Sequence, residues 1–371
     1  MRRGSAIVLA VFVMAVLSRT SSAEVPAVEK AQVSKLVDRG ISYLTGAQAE
    51  DGSFSKQVGP GITALVATAF LENGRSTSDP VVAKALTYLE SHVRSDGGIY
   101  AEGSKYKNYE TSLAIRAFAA ANADKRYDDL LKQAADFVKG IQWDGGEGHD
   151  ESSDSYGGAG YGSHARPDLS NTAFLADALE AVGTGPDDPA VQRMLVFVSR
   201  CQNLESEHNQ TKYPPLNPDG GFYYTIAAGG SSQAGTTPNG GLRSYGSMTY
   251  AGLKSMIYAG VDKDDQRVKA AVEWARQHYT LDENPGLGDA GLYYYFHTFA
   301  KALDAMGQPT VVDDEGVEHD WRQELVDALA ARQQDDGSWI NKNDRWLEAD
   351  PNLVTGYALL ALSHARQSPT R

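Results

Sequence analysis

Gln333-Gln334-Asp335-Asp336-Gly337-Ser338-Trp339 stands between two apolar-periodic segments near the end of the chain. Gln48-Ala49-Glu50-Asp51-Gly52-Ser53-Phe54 repeats the pattern near the start. In both, a Gln closes an amphipathic run, Asp-Gly makes a tight turn, and an aromatic residue follows. Asp96-Gly97-Gly98-Ile99-Tyr100 and Asp219-Gly220-Gly221-Phe222 are looser copies. A turn that recurs over a whole chain marks a repeat architecture and is sought before domains are drawn.

Working outward, an apolar segment with the pattern x-Thr-x follows each turn region. The six copies are Ile62-Thr63-Ala64, Glu110-Thr111-Ser112, Asn171-Thr172-Ala173, Met248-Thr249-Tyr250, His297-Thr298-Phe299 and Val354-Thr355-Gly356. Thr-to-Thr spacings of 48, 61, 77, 49 and 57 describe a basal unit of 48 residues or so, expanded by insertions. Ile62, Leu65, Val66, Ala69 and Phe70 follow the i, i+3, i+4, i+7, i+8 helical pattern, as do Leu353, Val354, Tyr357, Leu360 and Ala361. The Thr is expected near the helix N-terminus, where its hydroxyl can take a free backbone N–H. Gly74, Gly183, Gly260 and Gly307 mark the helix ends. A second helix precedes each turn, at 33–48, 81–92, 130–142, 191–202, 268–278 and 324–333. Twelve helices in six pairs result, and a pair buries both its faces only against neighbouring pairs. Periodicity alone leaves open whether the pairs form an open solenoid or a closed ring.

Length and composition set the bounds. A chain of 371 residues suggests two or three domains, but the repeat reduces this to one over 24–371. With 42% hydrophobic and 22% charged residues the chain is globular. Lys+Arg 34 against Asp+Glu 48 gives a net charge of −14, which argues against nucleic acid as a partner. One Cys, Cys201, excludes a disulfide framework and a cysteine-cluster metal site. Arg2-Arg3, the apolar run Ala6 to Leu17 and Ser21-Ser22-Ala23 read as a secretory signal over 1–23, cleaved after Ala23. No later stretch is long and apolar enough to span a bilayer.

The Gln-x-x-Asp-Gly-Ser-Trp turn resembles the prenyltransferase/squalene oxidase repeat, and the resemblance covers essentially the whole of 24–371. It implies an all-α fold, the α6–α6 toroid, as in squalene and diterpene cyclases and protein prenyltransferases. It also implies that Gln48, Phe54, Gln333 and Trp339 brace helices. Cyclases of this kind open an inner helix with Asp-x-Asp-Asp-Thr-Ala, whose second Asp protonates an alkene. The matching stretch is Pro167-Asp168-Leu169-Ser170-Asn171-Thr172-Ala173, with Ser170 in place of the acid. A hydroxyl cannot do that chemistry, so Asp-initiated cyclisation is not expected. His297, in Tyr294-Tyr295-Phe296-His297-Thr298-Phe299, falls where prenyltransferases place a zinc ligand. The Asp and Cys expected near Tyr245–Tyr250 are missing, so no zinc site and no cofactor are implied.

Candidate catalytic residues are therefore Asp168, Glu110 and His297. Glu110, Asn171 and His297 precede a repeat Thr and are expected to converge at a ring mouth. Asn171, Tyr250, Tyr295, Tyr161 and Trp346 are candidate ligand-binding residues, with Glu348 and Asp350 on the same rim. Two Gly/Tyr-rich insertions, 144–166 and 205–243, are expected to cap that mouth. His149, Asp150, Glu151, Asp154 and His164 in the first match no metal motif and read as a solvated loop. Asn209-Gln210-Thr211 is a glycosylation sequon. Two ligand classes follow: an apolar or amphiphilic small molecule within the ring, or a protein or glycan partner on the Gly/Tyr rim. Carbohydrate catalysis through Glu110 or Asp168 is a third reading.

Overall fold

The computed structural model describes residues 30–162 and 165–366. The signal at 1–23 and His164 lie outside these residues. Among the described residues there are twelve α-helices: α1 Lys30–Ala47, α2 Gly61–Glu72, α3 Pro80–Glu90, α4 Lys107–Ala120, α5 Asp128–Gly140, α6 Leu169–Ala181, α7 Pro189–Arg200, α8 Gly246–Tyr258, α9 Gln266–Gln277, α10 Leu292–Ala305, α11 Trp321–Ala330 and α12 Pro351–Ala365. A short antiparallel hairpin, β1 Val311–Val312 and β2 Glu318–His319, interrupts them. None of these helices is long and apolar enough to cross a membrane.

Burial separates two helix classes. The even-numbered helices are buried nearly all round, whereas α1, α3, α5 and α9 bury one stripe and expose the other. A helix apolar on every side must be enclosed, and one with a single apolar stripe lies at the surface. Contacts run α2–α4–α6–α8–α10–α12, and α12 packs back onto α2. The odd-numbered helices lie outside, most of them bridging two inner neighbours.

One interaction recurs between units. Gln333 Nε2 donates to Gly337 O in its own turn and to Leu36 O of α1, both at 3.0 Å. Gln48 does the same to Gly52 O and Val81 O, Gln142 to Gly157 O and Ala190 O, and Gln202 to Gly220 O and Arg267 O. Each amide thus ties its turn to the next outer helix. The turn glycine seals the joint. Gly337 has φ +93, and a Cβ there would collide with the Arg39 carbonyl of α1. Gly52, Gly97, Gly157 and Gly220 sit equally close to carbonyls of α3, α5, α7 and α9. His92 and His278 stand where the second and fifth units lack the Gln, and each bonds a carbonyl of its own helix.

The repeat Thr has a different role from the one its position suggested. It lies inside the helix, and its Oγ1 accepts an N–H from the preceding turn. The pairs are Phe54 to Thr63, Ile99 to Thr111, Ala159 to Thr172, Phe222 to Thr249 and Trp339 to Thr355, at 2.9–3.1 Å. Thr298 is the exception. Its hydroxyl donates to Tyr294 O and Tyr295 O within α10. The fifth unit's Thr is therefore about one helical turn out of register, which displaces His297. Gly74, Gly183, Gly260 and Gly307 end α2, α6, α8 and α10 with positive φ, as expected.

Replacing Gly337 by Ala should destabilise the protein by about 2–3 kcal/mol, from backbone strain plus the clash with Arg39. Gln333→Ala should cost about 1–2 kcal/mol, because the Gly337 carbonyl loses its donor and the Leu36 carbonyl its second hydrogen bond. Chemical denaturation checks both. A neutral result for Gly337→Ala would show that this joint carries no weight.

Candidate functional site

The first turns of all six inner helices open on one cavity of about 720 Å³. Ile62, Glu110, Asn171, Met248, Tyr294 and Leu353 each contribute from a different helix, so the six helices start at the same mouth. Nine aromatic rings line the wall: Tyr106, Tyr109, Tyr161, Phe174, Tyr224, Tyr245, Tyr294, Tyr357 and Trp346. Phe174 meets Tyr109 edge-on at 5.0 Å and lies 5.9 Å from Tyr294. Tyr294 is 5.8 Å from Tyr357, so the rings brace one another.

Three carboxyls stand at this mouth, and all are buried. Glu110 accepts the Ala101 N–H and the Ser104 hydroxyl, both at 2.9 Å. Burial pushes its carboxyl above the usual range. Glu348 accepts the Tyr293 and Tyr294 N–H groups at the start of α10, at 3.0 and 2.8 Å, and Asn341 Nδ2 at 2.6 Å. Burial outweighs these donors and raises it to about 7. Asp168 caps α6 by accepting Asn171 N and Nδ2, each at 2.8 Å. Burial raises it to about 6, against those hydrogen bonds and one from Tyr224. None of the three forms an ion pair among the described residues.

Trp346 and Leu347 form an exposed lip, with φ of 56° and 67°. Two successive non-glycine residues in the left-handed region cost on the order of 1–2 kcal/mol each. The conformation turns both side chains towards the opening and brings Glu348 inward. Gly291 lies under the Trp346 ring, where a Cβ would come within 3.0 Å of Cζ3. The Arg345 guanidinium covers the indole at 4.2 Å and donates to Gln233 of the second insertion.

About six residues further along the inner helices, roughly 9 Å deeper, the axis is ionic. Asp177 of α6 meets Lys254 of α8 at 2.5 Å, Lys301 of α10 at 3.1 Å and Arg116 of α4 at 4.0 Å. Glu72 of α2 meets Arg116 at 2.9 Å and Ser363 of α12 at 3.2 Å. Despite burial, Lys254, Lys301 and Arg116 hold Asp177 well below the usual carboxylate range. Burial and the Arg116 charge lower Lys301 to about 8. Glu72 and Ser363 stand about ten residues along their helices, at the outer edge of this layer, where Glu72 is exposed.

The sequence candidates divide accordingly. Glu110, Asn171, Tyr161, Trp346 and Glu348 line the cavity; Asp168 lies directly behind Asn171. His297, Tyr250 and Tyr295 do not line it, and this corrects the expectation for all three. The shifted Thr register carries His297 down towards the ionic layer. There it stacks on Tyr357 at 5.7 Å, and burial, with Arg116 and Lys301, keeps it neutral. Tyr294 takes the place at the mouth that His297 was assigned. Tyr250 and Tyr295 pack against each other and Phe299 instead. Ser170 faces the cavity and donates to the Tyr294 hydroxyl at 3.1 Å. Tyr161 and Tyr224 come from the insertions, but Tyr213 and Tyr223 are buried elsewhere. Asn209 of the sequon is fully buried and donates to Gln202 O and Leu204 O, so it is not open to glycosylation. His149 of the acidic loop pairs with Ser153, and no metal-holding cluster occurs among the described residues. Tyr109, Phe174 and Tyr357 escaped the reading from the repeat Thr. An i+3 step from Asn171 or Val354 leads to Phe174 or Tyr357.

Residues 57–224 match the family model described as the squalene-hopene cyclase C-terminal domain. A comparison with curated proteins finds no match. Among solved structures, the apo type II terpene cyclase MstE from Scytonema is similar at 14% identity and TM-score 0.53, over 90% of this chain and 97% of that one. A wild-type glycosidase is similar at 13% identity and TM-score 0.52, over 91% and 97%. A polysaccharide lyase is similar at 11% identity and TM-score 0.55, over 90% and 96%. The family match and the shared fold support the terpenoid cyclase/prenyltransferase-like superfamily read from the repeat. Three chemistries share the fold, so the cavity must speak for itself.

The raised Glu348 carboxyl has a sign that can be tested. A carboxyl whose pKa is higher in the folded protein stabilises it fully below the unfolded value, and that stability is lost as pH rises through the folded value. Raised from 4.5 to about 7, Glu348 should withdraw on the order of 3 kcal/mol between pH 4.5 and 7. Glu348→Gln lacks this titration but loses the acceptor for Asn341. The wild type should be the more stable at pH 5, and the gap should narrow by pH 8. Thermal melts across that range check this, and a constant gap would mean that Glu348 ionises as an ordinary carboxyl.

Proposed function

We propose that this chain is a closed α6–α6 toroid of six helical pairs, a single domain over 24–371, which takes a small amphiphilic molecule into the cavity at its mouth. The protein is secreted, with cleavage after Ala23. The observation that carries the reading is the contrast between the two levels of the inner helices. The mouth is a 720 Å³ space walled by aromatic rings, a size suited to a drug-sized ligand. The level below is closed by Arg116, Asp177, Lys254 and Lys301. A long polyene threaded along the axis would meet buried charges, whereas a molecule with an apolar body and a polar end fits the mouth. Ser170 in the acid's place argues against Asp-initiated cyclisation. Glu348 and Glu110 are the groups placed for proton transfer to such a ligand.

A glycan is the second reading. The exposed Trp346 and Tyr106 rings at the lip favour it, since flat aromatic faces beside carboxyls suit a sugar ring. Similarity to a glycosidase and a polysaccharide lyase is compatible with it.

Native mass spectrometry of protein purified from its own host, with extraction of bound molecules, tests both. An amphiphile retained by the wild type and lost in Ser170→Phe, with the melting temperature unchanged, is the expected result. A sugar lost in the same way would favour the second reading. Retention of the molecule by Ser170→Phe would overturn the assignment of the cavity. N-terminal sequencing of the exported protein should begin at Glu24.

A further inference from the structure

We infer that the polar end of the ligand is a cation, an alkylated or quaternary ammonium group seated among the mouth tyrosines. This rests on the cavity reading above and names the class of head group. The argument begins with how the chain distributes its charges. In the deep layer each carboxylate has its cation: Asp177 has three and Glu72 has Arg116. At the mouth, Glu110, Glu348 and Asp168 are as deeply buried as Asp177, yet none has an ion-pair partner among the described residues. Lys105 and Glu102 stand at the exposed rim, one charge of each sign. Arg94 acts on Glu110 and Arg166 on Asp168 at longer range, without an ion pair, and neither lines the cavity; Arg166 and Arg345 lie over Tyr224 and Trp346.

The starts of α6 and α10 partly satisfy Asp168 and Glu348 through backbone N–H groups. Glu110 has no such help from its own helix, since its donors are Ala101 and Ser104 of the preceding turn. A buried carboxylate without a counter-ion is costly, and a cationic ligand would supply what the chain withholds.

Two independent features point the same way. Asn171 is buried and lines the cavity, and its Oδ1 makes no hydrogen bond of good geometry, although the Tyr161 hydroxyl interacts with the amide. A poorly satisfied buried acceptor calls for a donor or a positive dipole. The wall is also a set of aromatic faces, the environment that holds N-alkyl cations through their ring quadrupoles. Arg166 at 5.6 Å from Tyr224 and Arg345 at 4.2 Å from Trp346 show two of these rings already holding a guanidinium on a face. The chain's net charge of −14 would draw cations towards it.

Isothermal titration of the full chain with choline and with 3,3-dimethylbutan-1-ol tests the charge alone. The second compound has the same shape, with carbon in place of nitrogen. Choline should bind about tenfold or more tightly than the alcohol. Glu110→Gln and Glu348→Gln should each weaken choline several-fold and leave the alcohol unaffected. Equal or tighter binding of the alcohol would overturn the inference and leave the cavity reading standing. Binding of neither would also overturn it. The cavity reading falls only if ligand extraction returns nothing as well. The wild-type comparison needs no variant, so a variant that fails to fold does not remove the test.

Discussion

A side-chain amide that bonds its own turn and the next outer helix holds this structure together. Gln48, Gln142, Gln202 and Gln333 each give the turn carbonyl its donor and add a second hydrogen bond to a helical carbonyl of the next outer helix. The turn glycine lets the joint close, because its missing Cβ is where the neighbouring carbonyl lies. The last joint is the informative one. Gln333 and Gly337 of the sixth unit meet Leu36 and Arg39 of the first, with the same geometry as the joints made by Gln48, Gln142 and Gln202. Repeats that each contact only their neighbours leave two open ends, and here each end serves as the other's neighbour.

With all inner helices starting at one mouth, their partial positive charges add there. Carboxyls at that end are the natural complement, and Asp168, Glu348 and Asp350 each accept N–H groups at a helix start. Asp168 and Glu348 gain less than the dipoles would suggest, because burial penalises the charged form and raises both. The ionic layer resolves the same problem differently. Arg116, Lys254 and Lys301 surround the buried Asp177, Glu72 pairs with Arg116 at the exposed edge, and the chain forgoes an open channel along the axis. One set of helices thereby presents a tyrosine-walled, acid-bearing mouth above a closed floor.

Much of this was legible in the chain. The Gln–Asp–Gly–aromatic turns, the twelve helices and the helix-ending glycines follow from local rules and stand as read. Glu110 and Asn171 were placed at the mouth by counting from the repeat Thr, and the count held because Thr111 and Thr172 each bind the preceding turn. The same count failed for His297. Thr298 binds its own helix, and no turn N–H anchors it, so the pattern survived in sequence while the geometry moved. Asn209 looked open to modification because a sequon says nothing of burial. Its amide instead serves the carbonyls of its own loop.

The amino-acid sequence alone determined helix, turn and repeat, because these depend on residues within a few positions of one another. It also put Ser170 where the resemblance expects the acid, a hydroxyl with no proton acid enough for an alkene. Tertiary structure decided the rest. The six first turns meet in one cavity, the axis below is filled by Asp177 and its cations, and the carboxyls above stand without counter-ions. Each of these depends on groups that lie dozens to hundreds of residues apart in the chain. Their pKa values, pairing and exposure are set by the surrounding low-dielectric space, which exists only once the helices have packed.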